Sequence, residues 1–332
     1  MKQKLEQTMQ LMLDKNLITA AQLQELKTYN NLNIFSLHNE LKALLYLSIL
    51  LFTSGIGILI YQNIDSIGHT VILALLLLVT LVCFYISFKH AKGFQKELVT
   101  FENPLYDYLV LTSVLLTCIF IGYVQFQYQL FGQHYGLATL VPTSIAFFCG
   151  YYFDNKSVLS IAITGLVAYI GLTIDPKSIV TMSTNAFTSI RYAAIALGIV
   201  LLLWSELAAK QHIKKHFNII YVTFALHLIS IACITAISEP YWFVYVVLLA
   251  GSTYYFYDIS FKLQATSLFV FTLLYAFIGC NQLLSKGLDI LDISQFYELL
   301  TILSPFYLVG SIILFIKLIK NFNKKIDHDS LR

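Results

Sequence analysis

Residues 70–88 read Thr70-Val-Ile-Leu-Ala-Leu-Leu-Leu-Leu-Val-Thr-Leu-Val-Cys-Phe-Tyr-Ile-Ser-Phe88, an uncharged run closed by Lys89. Hydrocarbon about 30 Å thick requires about 20 apolar residues per helix, so this stretch is long enough to span. Nine further runs resemble it: 41–62, 106–127, 136–152, 156–174, 190–208, 217–237, 241–257, 265–283 and 300–320. The fourth and eighth in chain order, 136–152 and 241–257, are short at about 17 residues but within spanning range. Pro142 and Pro305 lie inside spans, where neighbouring helices can re-satisfy the freed carbonyl groups. Composition agrees. Hydrophobic residues make up 58% of the 332 and charged residues 12%, about half the soluble average. Mean hydropathy is +0.73. So few charges cannot cover a soluble surface. A soluble enzyme, a disordered chain and a nucleic-acid binder are therefore excluded, and the expected fold is an all-α polytopic transmembrane bundle of about ten spans.

Lys and Arg set the orientation, because cytoplasmic loops carry their excess. With the N-terminus inside and alternating spans, only Lys177, Arg191 and Lys286 fall outside, against 18 of the 21 basic residues inside. Both termini are expected in the cytoplasm of a bacterium whose inner membrane holds the chain. A missed span in the middle would scramble this split, so it also supports the count of ten.

The domain reading is a cytoplasmic helical hairpin over 1–40, a membrane domain over 41–320 and a basic tail over 321–332. The opening lacks a signal-peptide pattern, so the first run reads as an uncleaved anchor. In the hairpin, Leu5, Met9, Met12 and Leu13 recur at helical spacing. Thr19-Ala-Ala-Gln22 fits a capping box. Cys83, Cys118, Cys149, Cys233 and Cys280 all lie in apolar runs, where a thiol acts as a small packing residue. No Walker loop, G-x-S-x-G, H-E-x-x-H or CxxC is present. Neither a cofactor nor an enzymatic activity is expected. His212 and His216 stand at i,i+4, but Lys214 and Lys215 between them would repel a cation. A solvated basic loop facing anionic lipid is the expectation there.

Two stretches together carry a resemblance. One is Leu13-Asp-Lys-Asn-Leu-Ile-Thr-Ala-Ala-Gln-Leu23 with Gly55-Ile-Gly57 and the turn Asn63-Ile-Asp65; the other is Gly122-Tyr-Val-Gln125-Phe-Gln127-Tyr-Gln-Leu-Phe131-Gly132. Over about residues 10–175 the chain resembles the bacterial membrane-protein family known as domain of unknown function 2157. It departs from that family's pattern at Ile64, where a Trp is usual. The family has no established activity. The resemblance implies a membrane class and, because members often sit beside a second small membrane protein, a partner.

Polar groups within spans are the default functional candidates, since hydrocarbon penalises them. His227 lies mid-span, and Thr223 and Ser230 share its face. The stripe either lines a cavity or bonds a neighbouring helix. Gln125 and Gln129 share a face with Gly122 and either line a vestibule or glue helices. Glu206 precedes Lys210 by four residues and reads as an interfacial ion pair. Arg191 reads as snorkelling to headgroups. The run Ser252-Thr-Tyr-Tyr-Phe-Tyr-Asp258 reads as an interfacial aromatic belt. Besides the lipid bilayer, the expected partner is a second membrane protein, with no nucleic acid. The favoured function is a non-enzymatic membrane subunit or scaffold. The alternative is a secondary transporter built from two five-span halves, although 41–174 and 190–320 show no self-similarity.

Overall fold

A computed structural model describes residues 12–13, 19, 22–25, 38–101, 103–174, 184–290 and 297–329. Among the described residues there are ten long helices: α1 His38–Ile67, α2 His69–Lys89, α3 Leu105–Tyr128, α4 Tyr135–Tyr152, α5 Lys156–Ile174, α6 Thr184–Lys210, α7 Asn218–Ala236, α8 Trp242–Lys262, α9 Thr266–Ile290 and α10 Tyr297–Asp329. Each corresponds to one apolar run of the sequence, so the all-helical reading stands. Eight are long and apolar enough to cross a membrane. The other two, α4 and α8, are those that read as short. Tyr135, Tyr151 and Tyr152 dilute α4, and Tyr254, Tyr255 and Tyr257 dilute α8.

The chain divides into two compact units, Met1–Gly55 and Ile56–Arg332, with the boundary inside α1. In the first, the Thr19 capping box forms as read. The Thr19 N–H donates to Gln22 Oε1 at 2.9 Å, and the Gln22 N–H donates to Thr19 Oγ1 at 3.3 Å. Met12 and Leu13 are helical and Leu23 is buried; most of the rest of the expected hairpin lies outside the described residues. At the far end, helix α10 continues to Asp329, so most of the expected basic tail is helical.

In the second unit α7 is the hub. Tyr221, Ala225, Leu226, Ile229 and Cys233 are buried against Leu159 and Ile163 of α5, Leu197 and Leu201 of α6, Phe256 of α8 and Leu268 of α9. Lipid tails are as apolar as leucine, so such packing depends on close contact rather than on exclusion from water. Glycines permit that contact. A Cβ on Gly198 would meet Ile229 Cγ1 at 2.6 Å. All five cysteines are free.

Packing repeats with a period of four helices. In α2–α5, α2 packs on α3, α3 on α4 and α5, and α4 on α5; in α6–α9 the same partners recur. The turns match too. Helix α4 ends with Asp154 at φ 59° and the Asn155 N–H bonded to Gly150 O. Helix α8 ends with Gln264 at φ 51° and the Ala265 N–H bonded to Ser260 O. Both are Schellman closures. Buried positions follow in register ten residues past a hundred: Val158 with Leu268, Leu159 with Phe269, and Ala162 with Thr272. An offset of four antiparallel helices relates the copies in the same direction. The offset is four helices, not five.

Candidate functional site

A buried cluster of charge lies where three connections meet, at the end of the bundle holding the α2–α3, α4–α5 and α6–α7 links. The α4–α5 link has only three residues, Phe153, Asp154 and Asn155. The left-handed backbone of Asp154 is one that Asp tolerates, and it turns the carboxylate inward, where the side chain is 0% exposed. Asn155 then caps α5, its Oδ1 accepting the Val158 N–H at 3.0 Å. Its Nδ2 donates to Asp107 O at 3.0 Å, fixing the start of α3.

Asp154 is fully partnered. Oδ2 accepts the Val99 N–H at 2.7 Å and the Lys214 ammonium at 3.0 Å. Oδ1 accepts His216 Nε2. The Lys214 side chain is 1% exposed. Its backbone adopts φ 48°, its N–H donates to Lys96 O at 2.8 Å, and its Nζ lies 5.6 Å from the Phe94 ring centre. A buried ion pair is stable only when its geometry and remaining hydrogen bonds are satisfied. Here one carboxylate ties the 90–104 link, the α4–α5 turn and the α6–α7 link. This corrects half of the expectation of a solvated basic loop: Lys214 and His216 turn inward onto Asp154, whereas His212 and Lys215 are exposed.

Hydroxyl bonds extend the clamp along the helices. Trp204 Nε1 donates to the Tyr151 hydroxyl at 2.8 Å, which lies 2.7 Å from the Tyr221 hydroxyl. Ser205 donates to Asn218 Oδ1. Together these join α4, α6 and α7. The cleft beside the Asp154 turn, lined by Gly93, Val99, Phe101 and Phe153, encloses about 10 Å³, room for about one water. A substrate does not fit there, so the chemistry of this cluster is that of a clamp.

The residues expected from sequence do not converge on one point. The ring of His227 packs edge-on against Phe271 at 4.8 Å, and Nδ1 shares a 2.8 Å hydrogen bond with the Tyr275 hydroxyl of α9. Thr223 donates to Ile219 O within its own helix, and Ser230 is buried. Gln125 folds over the α3–α4 link: Nε2 donates to Gly132 O at 2.8 Å, and Oε1 accepts the Phe131 N–H at 2.9 Å. Gln129 is exposed at the left-handed end of α3, so of the two amides Gln125 alone, with Gly122, lines the groove against α4 and α5. Glu206 is exposed and makes no ion pair with Lys210 among the described residues. The i,i+4 pair that forms is Asp258–Lys262 at 2.6 Å, and Asp258 holds the Lys262 ammonium above its usual range. Arg191 does not snorkel freely. It pairs with Glu239 at 3.2 Å and donates to Thr188 Oγ1 at 2.8 Å.

A groove of about 390 Å³ between α3, α4 and α5 is lined by Gly122, Gln125 and Pro142, and two further lateral grooves complete the picture. One, of about 600 Å³, lies between α9 and α10 and is lined by Asn281, Ser304, Tyr307 and Ser311 among apolar residues. The other, of about 400 Å³, lies between α5, α6 and α7 and includes Arg191 and His227. Among the described residues no group of three or more His, Cys, Asp or Glu is placed to hold a metal ion.

Residues 10–159 match the family described as Predicted membrane protein (DUF2157). No curated protein and no solved structure matches the chain. The match and the apolar helices together make this a membrane protein. Asp154 falls within the matched region, whereas Lys214 and His216 lie beyond it.

Proposed function

We propose that the chain is a non-enzymatic subunit of a membrane assembly, seated in the bacterial inner membrane with both termini cytoplasmic. One observation carries the reading. The apolar core of α10 is 0% buried within the chain, yet its face toward α9 bears Ser304, Tyr307 and Ser311 opposite Asn281. Tyr307 donates to Asn281 Oδ1 at 3.1 Å, marking a polar seam in an open groove. Polar seams with small residues are how transmembrane helices associate. The occupant that fits is a transmembrane helix of a second protein. The fully partnered Asp154 cluster supports the same reading, because it stiffens the links without presenting a reactive group.

Extracted in mild detergent, the assembly is expected to carry a constant additional mass that is not a multiple of the 37.7 kDa chain. Native masses in simple multiples of the chain would remove the reading. Orientation has its own test. A tag after Arg332 should resist protease added outside spheroplasts and be cut only after permeabilisation; cleavage in intact spheroplasts would contradict it.

A second reading, a secondary transporter, is favoured by the four-helix repeat, because parallel repeats occur in carriers. That relationship differs from two five-span halves. Solute-dependent uptake by vesicles containing the chain alone would select it over the subunit.

A further inference from the structure

We propose that the groove between α5, α6 and α7 binds one phospholipid of the surrounding bilayer, with an acyl chain along its apolar floor and the phosphodiester at Arg191. The groove lies where the first four-helix repeat, through α5, meets the second, through α6 and α7. It runs along α7 from Phe224 to Thr235, about 16 Å at 1.5 Å per residue. That matches one leaflet of hydrocarbon, about half of 30 Å. Its floor is Val167, Phe224, Leu228 and Ile231. His227 closes the deep end with its Nδ1 already engaged by Tyr275, so the deep end offers an apolar chain no competing donor from that atom.

The shallow end is different. Arg191 has a side chain only 12% exposed, and its Nε is buried without a hydrogen-bond partner. Its NH1 donates to Glu239 and its NH2 to Thr188, so the guanidinium is held in place with three of its five N–H groups unspent, two of them on the terminal nitrogens. Guanidinium groups suit phosphate oxygens because their donors are planar and fixed. Glu239 is 40% exposed, so water screens its charge and it does not fill the groove. An oriented cation with spare donors, above an apolar channel one leaflet deep, matches a phosphodiester lipid. A free anion would leave the channel empty, and an uncharged amphiphile would leave the donors unmet.

Native mass spectrometry of the full chain, delipidated in detergent and titrated with phosphatidylglycerol or diacylglycerol, tests this. The expected result is one retained phosphatidylglycerol, with diacylglycerol bound at least tenfold more weakly. Arg191→Met should weaken phosphatidylglycerol at least tenfold. Leu228→Trp, which fills the channel and leaves the Arg191–Glu239 pair alone, should abolish binding of both lipids; it keeps the test decisive if Arg191→Met does not fold. Equal binding of the two lipids, or wild-type binding by Leu228→Trp, would overturn the proposal. The measurement uses the chain without a partner, so its outcome is independent of the subunit reading.

Discussion

Asp154→Asn is expected to cost about 3–5 kcal/mol of stability, the usual penalty for breaking one side of a buried ion pair. The carboxamide is nearly the same size, so packing hardly changes. What changes is that the Lys214 ammonium, 1% exposed, keeps its charge and loses its counter-ion. Asparagine has one acceptor oxygen where aspartate has two, so it cannot accept from both the Val99 N–H and His216 Nε2. The 90–104 and α6–α7 links should detach together, because the same carboxylate holds both. Thermal unfolding in detergent, followed by Trp fluorescence, measures the loss. Adding Lys214→Met to Asp154→Asn should recover a large part of it, since an apolar chain of similar length needs no counter-ion. If Asp154→Asn melts like wild type, the cluster is not a clamp.

Gly150→Val should be nearly as damaging for a steric reason. A Cβ at Gly150 would lie 3.2 Å from both the Cα and the N of Leu159. Those are backbone atoms of α5, so no rotamer change relieves the contact and α4 and α5 must part. Overpacking of this kind costs about 1–3 kcal/mol, and the second branch of valine places Gly150→Val at the upper end. Separation of α4 from α5 would also displace Asp154, four residues on, so loop protection in hydrogen exchange should fall near 96–99 and 211–217. Gly122→Ala is the control. Nothing lies within 4 Å of its added Cβ, and the better helix propensity of alanine should leave stability unchanged or raised by up to about 1 kcal/mol. Equal losses at Gly150 and Gly122 would contradict the close approach of α4 and α5.

The helices were legible in the sequence because an apolar run of spanning length carries its own boundaries. The run at 70–88 becomes α2, His69–Lys89, and the capping box at Thr19 closes as its spacing implies. The clamp was not legible. Asp154 and His216 lie 62 residues apart, and a Lys-Lys-His segment next to a span reads as a solvated loop. Nor does the short α4–α5 link signal it, since the equally short α8–α9 link leaves Gln264 exposed at the matching position. Gln125 was visible as a polar group, but its destination in the loop at Phe131 and Gly132 depends on a left-handed turn at Gln129 that composition does not reveal. The four-helix repeat was invisible for a different reason. Burial recurs in register while residue types change, as in Ala162 against Thr272.

The subunit reading rests on the α9–α10 groove, and a photo-crosslinking residue placed in α10 within native membranes tests it most directly. Substituted at Leu308 or Ile312, which line the groove, the probe is expected to yield one discrete heavier adduct with a second membrane protein. At Phe306 or Ile313, which are exposed and lie off the groove, it should yield lipid adducts alone. Lipid adducts at all four positions, with no protein adduct at Leu308 or Ile312, would contradict the account.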